Sequence, residues 1–385
     1  MPSERATRTT SFAAMDVLER ASERDAVVHM EVGEPDFRPP EAATEAAVTA
    51  LRAGDDDYTS SRGTQSLRDA ISGHYEETYG VDVPSDRIVV TPGSSPALLM
   101  TMLACVDPGE EVVLTDPYYA CYPNFVQQAD GRVTTVELDP ADGFEPQPEA
   151  YERAFTEDTA AVLLNSPANP TGAVLSGDTL ESIVELGERT DTMVVSDEVY
   201  HGLAFDAEEH SVLEYTDDAF VLDGVSKRYG MTGWRLGWVV CPPDYVDAIN
   251  RLAQNVVICA PSFVQAGAEA AIREGTDWLA DTRNAYRERR DLLLDAAERW
   301  GFDIGYEPQG AYYLLLDVSD LPGDAFDVAD VFLEEADVAM TPGPDFGPGA
   351  EDYLRASFAT NTADVREAIE RIDALLATTA INTGD

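Results

Sequence analysis

Short apolar runs recur along the chain with room for a helix between each and the next: RIVVT (87–91), EVVLT (111–115), AAVLLN (160–165), TMVVS (192–196), AFVLD (219–223) and LGWVV (236–240). They are apolar almost throughout and do not alternate with polar residues, as strands buried on both faces require. Their spacing predicts an α/β fold, a mostly parallel sheet with helices on both faces, whose ligands bind beyond the carboxyl ends of the strands. From about residue 280 the pattern changes to a long charged helix (TRNAYRERRDLLLDAAERW), the runs AYYLLLDV and DYLRASFAT, and a last helix before a polar tail, INTGD. That change predicts a smaller α+β domain over 281–385, with 46–280 as the large domain and 1–45 as an N-terminal arm and part of the smaller one. No internal repeat or low-complexity tract appears, and the acidic clusters DDD (55–57) and DAEEH (206–210) read as solvated loops.

Charge sets this chain apart from an ordinary α/β protein. Its 385 residues carry 73 acidic and 25 basic side chains, a formal net charge of −48. A nucleic-acid partner would need a basic footprint, so that class is excluded. Such a charge strains the compact state by self-repulsion at low salt, which points to a salt-rich cytoplasm, as in halophiles. Hydrophobic residues at 44% exclude a disordered chain. No apolar run reaches the roughly 18 residues of a membrane span, and MPSERATRTT lacks the apolar stretch of a secretory signal, so a cytoplasmic protein without a membrane partner is expected. Cys105, Cys121, Cys241 and Cys259 form no CxxC pair and read as buried small hydrophobes, which argues against disulfides and metal. Lys227 is the only lysine; every other basic residue is arginine.

Polar residues gather where the apolar runs end. PGSSPALLM after the first run is a Gly-Ser turn opening a helix, whose free N–H groups suit a phosphate. SPANPTG after the third places Asn169 in a turn, and DEVY after the fourth places Asp197 and Tyr200 just past a buried strand. Each of these alone also reads as an ordinary cap or turn. After the fifth run comes GVSKRYGMTGWRLG (224–237), with the sole lysine. One chemistry uses all of them. Pyridoxal phosphate needs a lysine amine for a Schiff base, which a guanidinium cannot form, an acid beside its ring nitrogen, and a cradle of N–H groups, hydroxyls and a cation for its phosphate. Lys227, Asp197, the 93–95 turn, Ser226 and Arg235 can supply these.

The stretch 224–237 resembles the lysine signature of fold-type I, pyridoxal-phosphate-dependent aminotransferases of class I/II, related to aspartate aminotransferases. Similar segments extend from EVGEPDF (31–37) through YTSSRGTQSLRDAI, NSPANPTG, SDEVY and TPGPDFG to LRASFA (354–359), almost the whole chain. The resemblance implies a seven-stranded sheet and a ping-pong exchange of an α-amino group between an L-amino acid and a 2-oxo acid. In that scheme Lys227 bonds the cofactor and then moves the substrate α-proton, while Asp197 keeps the ring nitrogen protonated. Tyr200 and Asn169 hydrogen-bond the ring oxygen, and Tyr119 stacks on the ring. Ser94, Ser95, Ser226 and Arg235 hold the phosphate, helped by Tyr58 from a second subunit of a homodimer. Arg355 clamps the substrate carboxylate, and Gly33 lies against the substrate. His201 and His210 have no role in this scheme and read as satisfied surface or supporting residues. Thermophilic-type aspartate aminotransferases of this subgroup carry a lysine in the Gly-rich turn where Ser95 stands here, so aspartate specificity does not follow. A β-lyase or decarboxylase on the same scaffold is the alternative activity. A noncatalytic sensor needs a helix-turn-helix domain, for which the roughly 30 residues before EVGEPDF leave no room.

Overall fold

Seven strands form the central sheet: β2 (Ile88–Thr91), β3 (Glu111–Asp116), β4 (Arg132–Glu137), β5 (Thr159–Asn165), β6 (Met193–Asp197), β7 (Ala219–Gly224) and β8 (Gly237–Val240), in the order β2-β8-β7-β6-β5-β3-β4. All neighbours are parallel except at β8, which runs antiparallel to both β2 and β7. The structure, a computed structural model, describes residues 1–302 and 304–382. The α/β fold with a mostly parallel sheet is therefore as the apolar runs imply. Alternate residues of each strand feed separate cores on the two faces: Val162 and Leu164 of β5 pack on one side, Ala161 and Leu163 on the other.

Helices cover both faces. The helix Gln65–Tyr79 begins where the Thr64 hydroxyl accepts from the Leu67 N–H, and ends at Gly80 with φ 70°. Its buried residues Leu67, Ala70, Ile71 and Tyr75 fall at helical spacing on one stripe.

A third core is built from both ends of the chain. The short strand β1 (Val28–His29) pairs with β10 (Val338–Ala339), and β9 (Tyr313–Asp317), β11 (Thr341–Pro342) and β12 (Tyr353–Ser357) form an antiparallel sheet in the order β11-β12-β9. Val28 and Met30 are buried there with Leu314, Leu316, Leu354 and Ile372. The last helix extends over Thr362–Asn382, so the tail INTGD is helical at its start and otherwise lies outside the described residues.

Three sequence expectations change. The strand β4 was not among the apolar runs: as the sheet's edge it is largely exposed, and RVTTVE carries only two apolar residues, Val133 and Val136, one for each face. The cluster DAEEH is not wholly solvated, because the Glu209 carboxylate turns inward and accepts the Gly202 N–H at 2.8 Å and the Ala204 N–H at 3.0 Å. Of the four free cysteines only Cys241 is buried, the other three being partly exposed. Among the described residues, no helix is long and apolar enough to cross a membrane, and no cluster of three metal-ligating side chains occurs.

Candidate active site

The strands deliver the polar residues to one end of the sheet. Beyond β2, Gly93 (φ 91°) opens the helix Ser94–Cys105 without any side-chain cap. The cap reading of Ser94 and Ser95 is therefore not realised, and the helix N-terminus keeps its free donors. Arg235 lies against this turn: a Cβ on Gly93 would come within 2.6 Å of its Nη2. Arg235 is itself left-handed (φ 54°), and its Nη1 donates to the Thr232 carbonyl at 3.0 Å.

Neighbouring strands β5 and β6 pair Asn165 with Asp197, which fixes the floor of the site. The Asn165 amide donates to the Asp197 carbonyl and its Oδ1 accepts the Asn169 N–H, both at 2.8 Å. The buried Asp197 carboxylate accepts from the Tyr122 hydroxyl at 2.7 Å and from the Val199 N–H at 3.3 Å. Burial pushes its pKa up to about 6, and the Tyr122 bond opposes that rise. The hydroxyls of Tyr200 and Tyr313 lie 2.9 Å apart.

Lys227 follows β7 on the four-residue helix Val225–Arg228. Its half-buried Nζ donates to the Gly33 carbonyl at 2.7 Å and lies 6.0 Å from the centre of the Tyr200 ring. Burial first, and then the charge of Arg355, pulls its pKa down to about 8. The guanidinium of Arg355 is held between the rings of Tyr313 and Phe346, at 4.5 and 4.6 Å from their centres. It donates to Asn169 Oδ1 at 3.0 Å, to Thr341 Oγ1 at 3.2 Å and to the Glu31 carbonyl, while its buried Nε has no partner.

A cleft of about 210 Å³ brings Gly33, Ser94, Ser95, Tyr119, Asn169, Asp197, Tyr200, Ser226, Lys227, Arg235 and Arg355 together. Tyr58 is not among its lining residues and stands 83% exposed. The sequence reading missed Tyr122, Asn165, Tyr313 and Phe12, which also line the cleft. A polar residue ending an apolar strand was the available signal for Asn165. Tyr122 stood unnoticed three residues after Tyr119 in DPYYACY, and nothing local marks Phe12. His201 is buried, its Nδ1 2.6 Å from the Tyr79 hydroxyl and its Nε2 without a partner, so it is neither a surface residue nor fully satisfied. His210 is partly buried, 3.3 Å from Glu214.

One amine, one buried carboxylate and two guanidinium groups, from Lys227, Asp197, Arg235 and Arg355, thus line a single cleft at the end of the sheet. The family profile described as aminotransferase class I and II matches residues 25–372, and the chain belongs to that family. The chain is 36% identical over 354 residues to the aspartate/prephenate aminotransferase of Thermus thermophilus, covering 91% of each. It is 33% identical over 384 residues to the (5-formylfuran-3-yl)methyl phosphate transaminase of Methanocaldococcus jannaschii, covering 98% of this chain and all of the relative. The crystal structure of Thermus thermophilus aspartate aminotransferase with maleate superposes with a TM-score of 0.92 at 35% identity, covering 97% and 98% of the two chains. The protein is an aminotransferase, and pyridoxal phosphate is the cofactor its family implies.

Proposed function

We propose that the cleft binds pyridoxal phosphate and transfers an α-amino group from an L-amino acid to a 2-oxo acid in two half-reactions. The observation that carries this reading is the convergence of Lys227, Arg235 and Arg355 on one cleft, none of them in a salt bridge among the described residues of a chain with net charge −48. Cations left unpaired among so many carboxylates suit ligands that bring their own negative charge. The donor set fits the cofactor: the uncapped helix start at Ser94, the hydroxyls of Ser94, Ser95 and Ser226, and Arg235 would hold its phosphate. Asp197 would face its ring nitrogen, Tyr200 and Asn169 its phenolic oxygen, and Tyr119 its ring.

When bound, the cofactor supplies a carbonyl that condenses with amines and a ring that withdraws electrons from the substrate α-carbon. Lys227 then serves as the anchoring amine and as the base that takes up and returns the α-proton at Nζ. Its depressed pKa makes the free amine available near pH 8. The Gly33 carbonyl orients that amine in the resting site. Tyr122 holds Asp197 in place, and the stacked guanidinium of Arg355, which lines the cleft, would meet a substrate carboxylate. Gly33 lies against the substrate through its backbone. The exposed Tyr58 supports a homodimer in which one subunit's tyrosine completes its neighbour's phosphate site. We place the protein in a salt-rich cytoplasm on the strength of its charge.

Borohydride reduction of the holoenzyme followed by peptide mapping tests the assignment, because no other side-chain primary amine competes. Cofactor is expected on Lys227 alone, and label confined to the N-terminal amine would overturn the reading. Lys227→Ala should retain cofactor through the phosphate cradle yet lose turnover by at least the roughly 10²- to 10⁴-fold share of a general base. Transfer to 2-oxoglutarate appears as glutamate, whereas elimination would release ammonia and pyruvate.

A further inference from the structure

Of the two tyrosines whose hydroxyls meet in the cleft, Tyr200 has a role above and Tyr313 has none. Tyr313 opens β9, and β12 sets Arg355 opposite Leu315, two residues further along that strand and on the same face. The small sheet thus carries the guanidinium and the ring together, 4.5 Å apart. At its other end Tyr313 places its hydroxyl 2.9 Å from that of Tyr200, and the two rings meet edge-on at 5.8 Å. Tyr200 is 4% exposed and Tyr313 2%, so the pair is complete within one chain whatever a second subunit adds to the site.

Two hydroxyls at that distance share one hydrogen bond: one donates, and the other keeps its proton for a further acceptor. The surroundings favour one direction. Burial raises the pKa of both groups, but at Tyr313 the charge of Arg355 is the first influence opposing it, whereas at Tyr200 the contact with Tyr313 adds to the rise. Tyr313 is therefore the more acidic hydroxyl and the better donor. A third hydroxyl, on Tyr312, is occupied elsewhere, since it donates to the Gly33 carbonyl at 3.2 Å. With Tyr313 donating, the Tyr200 proton is free for the cleft, and an oxygen that accepts one bond donates the next more strongly.

We infer that Tyr313 is a positioning residue: its hydroxyl, polarised by Arg355 over its ring, donates to the Tyr200 oxygen and so turns the Tyr200 proton toward the phenolic oxygen of the cofactor. This rests on the reading of Tyr200 given above, and deepens it. One side chain then serves two neighbours, the ring supporting Arg355 and the hydroxyl directing Tyr200.

A donor on the phenolic oxygen favours its ionised form, so weakening that donor raises the pH at which the bound cofactor gives up its proton. The absorbance of the holoenzyme against pH gives that midpoint without turnover. Tyr200→Phe is expected to raise it most. Tyr313→Phe keeps the ring against Arg355 and should raise it by roughly 0.3 to 1 pH unit, the effect of part of an ordinary hydrogen bond. The double variant should titrate where Tyr200→Phe does, because Tyr313 acts through Tyr200. A Tyr313→Phe enzyme that folds, binds cofactor and keeps the wild-type midpoint overturns the inference. So do shifts that add in full in the double variant, which would mean that Tyr313 reaches the cofactor by another route. Failure of the underlying reading looks different: Tyr200→Phe itself leaves the midpoint unmoved.

Discussion

Gly33 shows how little room the site leaves at a single residue. An added Cβ would lie 1.7 Å from the Tyr313 hydroxyl and 2.6 Å from its Cζ. That hydroxyl bonds Tyr200, and the Gly33 carbonyl bonds both Lys227 and, at 3.2 Å, Tyr312. Gly33→Ala must therefore displace the tyrosine pair or the lysine, and overpacking of this kind costs about 1–3 kcal/mol. We expect a lower melting temperature with the fold kept, and kcat/KM reduced about 100-fold, as for a misplacement of about 1 Å at a reacting group. Unchanged steady-state kinetics would show that the contact positions nothing. A second residue-level prediction concerns Glu198, beside Asp197. One of its oxygens accepts from Ser196, Ser211 and the Val212 N–H, the other makes no hydrogen bond and lies 3.5 Å from the His201 Nδ1, and burial pushes its pKa up to about 8. A raised carboxyl pKa favours the protonated form in the fold, so its contribution is complete below the unfolded value of 4.5 and is lost as pH rises through about 8. Melting temperatures of the cofactor-free protein should fall between pH 5 and pH 8.5, and less steeply in Glu198→Gln; equal slopes would remove Glu198 as the cause. Lys227 was legible because it stands alone in the composition. Glu198 was not, because only the fold shows that DEVY sends one carboxylate to the cleft and the next behind the sheet.

The four-residue helix Val225–Arg228 divides these two sides between adjacent residues. Lys227 faces the cleft, whereas Arg228 is buried behind it, donating to Asp223 at 2.9 Å and to the His201 carbonyl at 2.8 Å, with His74 at 2.5 Å. Arg228 thus ties the lysine helix to the end of β7, to the segment after Tyr200 and to the helix Gln65–Tyr79. Arg228→Met should destabilise by about 3–5 kcal/mol because it leaves Asp223 buried and unpaired, and Arg228→Met with Asp223→Leu should recover much of that loss. Thermal melts of the two variants distinguish this from simple loss of packing, which the double variant would worsen. At this scale the six strands with apolar runs were legible, since burial on both faces leaves no polar position to obscure them. The strand β4 was not, being a half-exposed edge, nor were β1, β10 and β11, whose two residues each are too few to form a pattern. The proline turn of SPANPTG was legible as a turn, but its service to Arg355 through Asn169 depends on β12, nearly two hundred residues later.

Over the whole molecule the net charge of −48 acts against compactness through repulsion that salt screens. The screening length falls from about 10 Å at 0.1 M to about 3 Å at 1 M, so melting temperature should rise with KCl over that range. A flat profile from 0.1 to 3 M KCl would refute this account of the acidity. The single lysine has one more consequence, for proteolysis. An endoproteinase specific for lysine can cut this chain at one bond only, between Lys227 and Arg228, giving fragments 1–227 and 228–385. Both flanking residues are packed into the fold, one over the cleft and one behind it, so the bond becomes a substrate only when the region opens. The rate of that single cut is then a direct clock for opening at Lys227, and any ligand that closes the cleft should slow it in proportion to its occupancy.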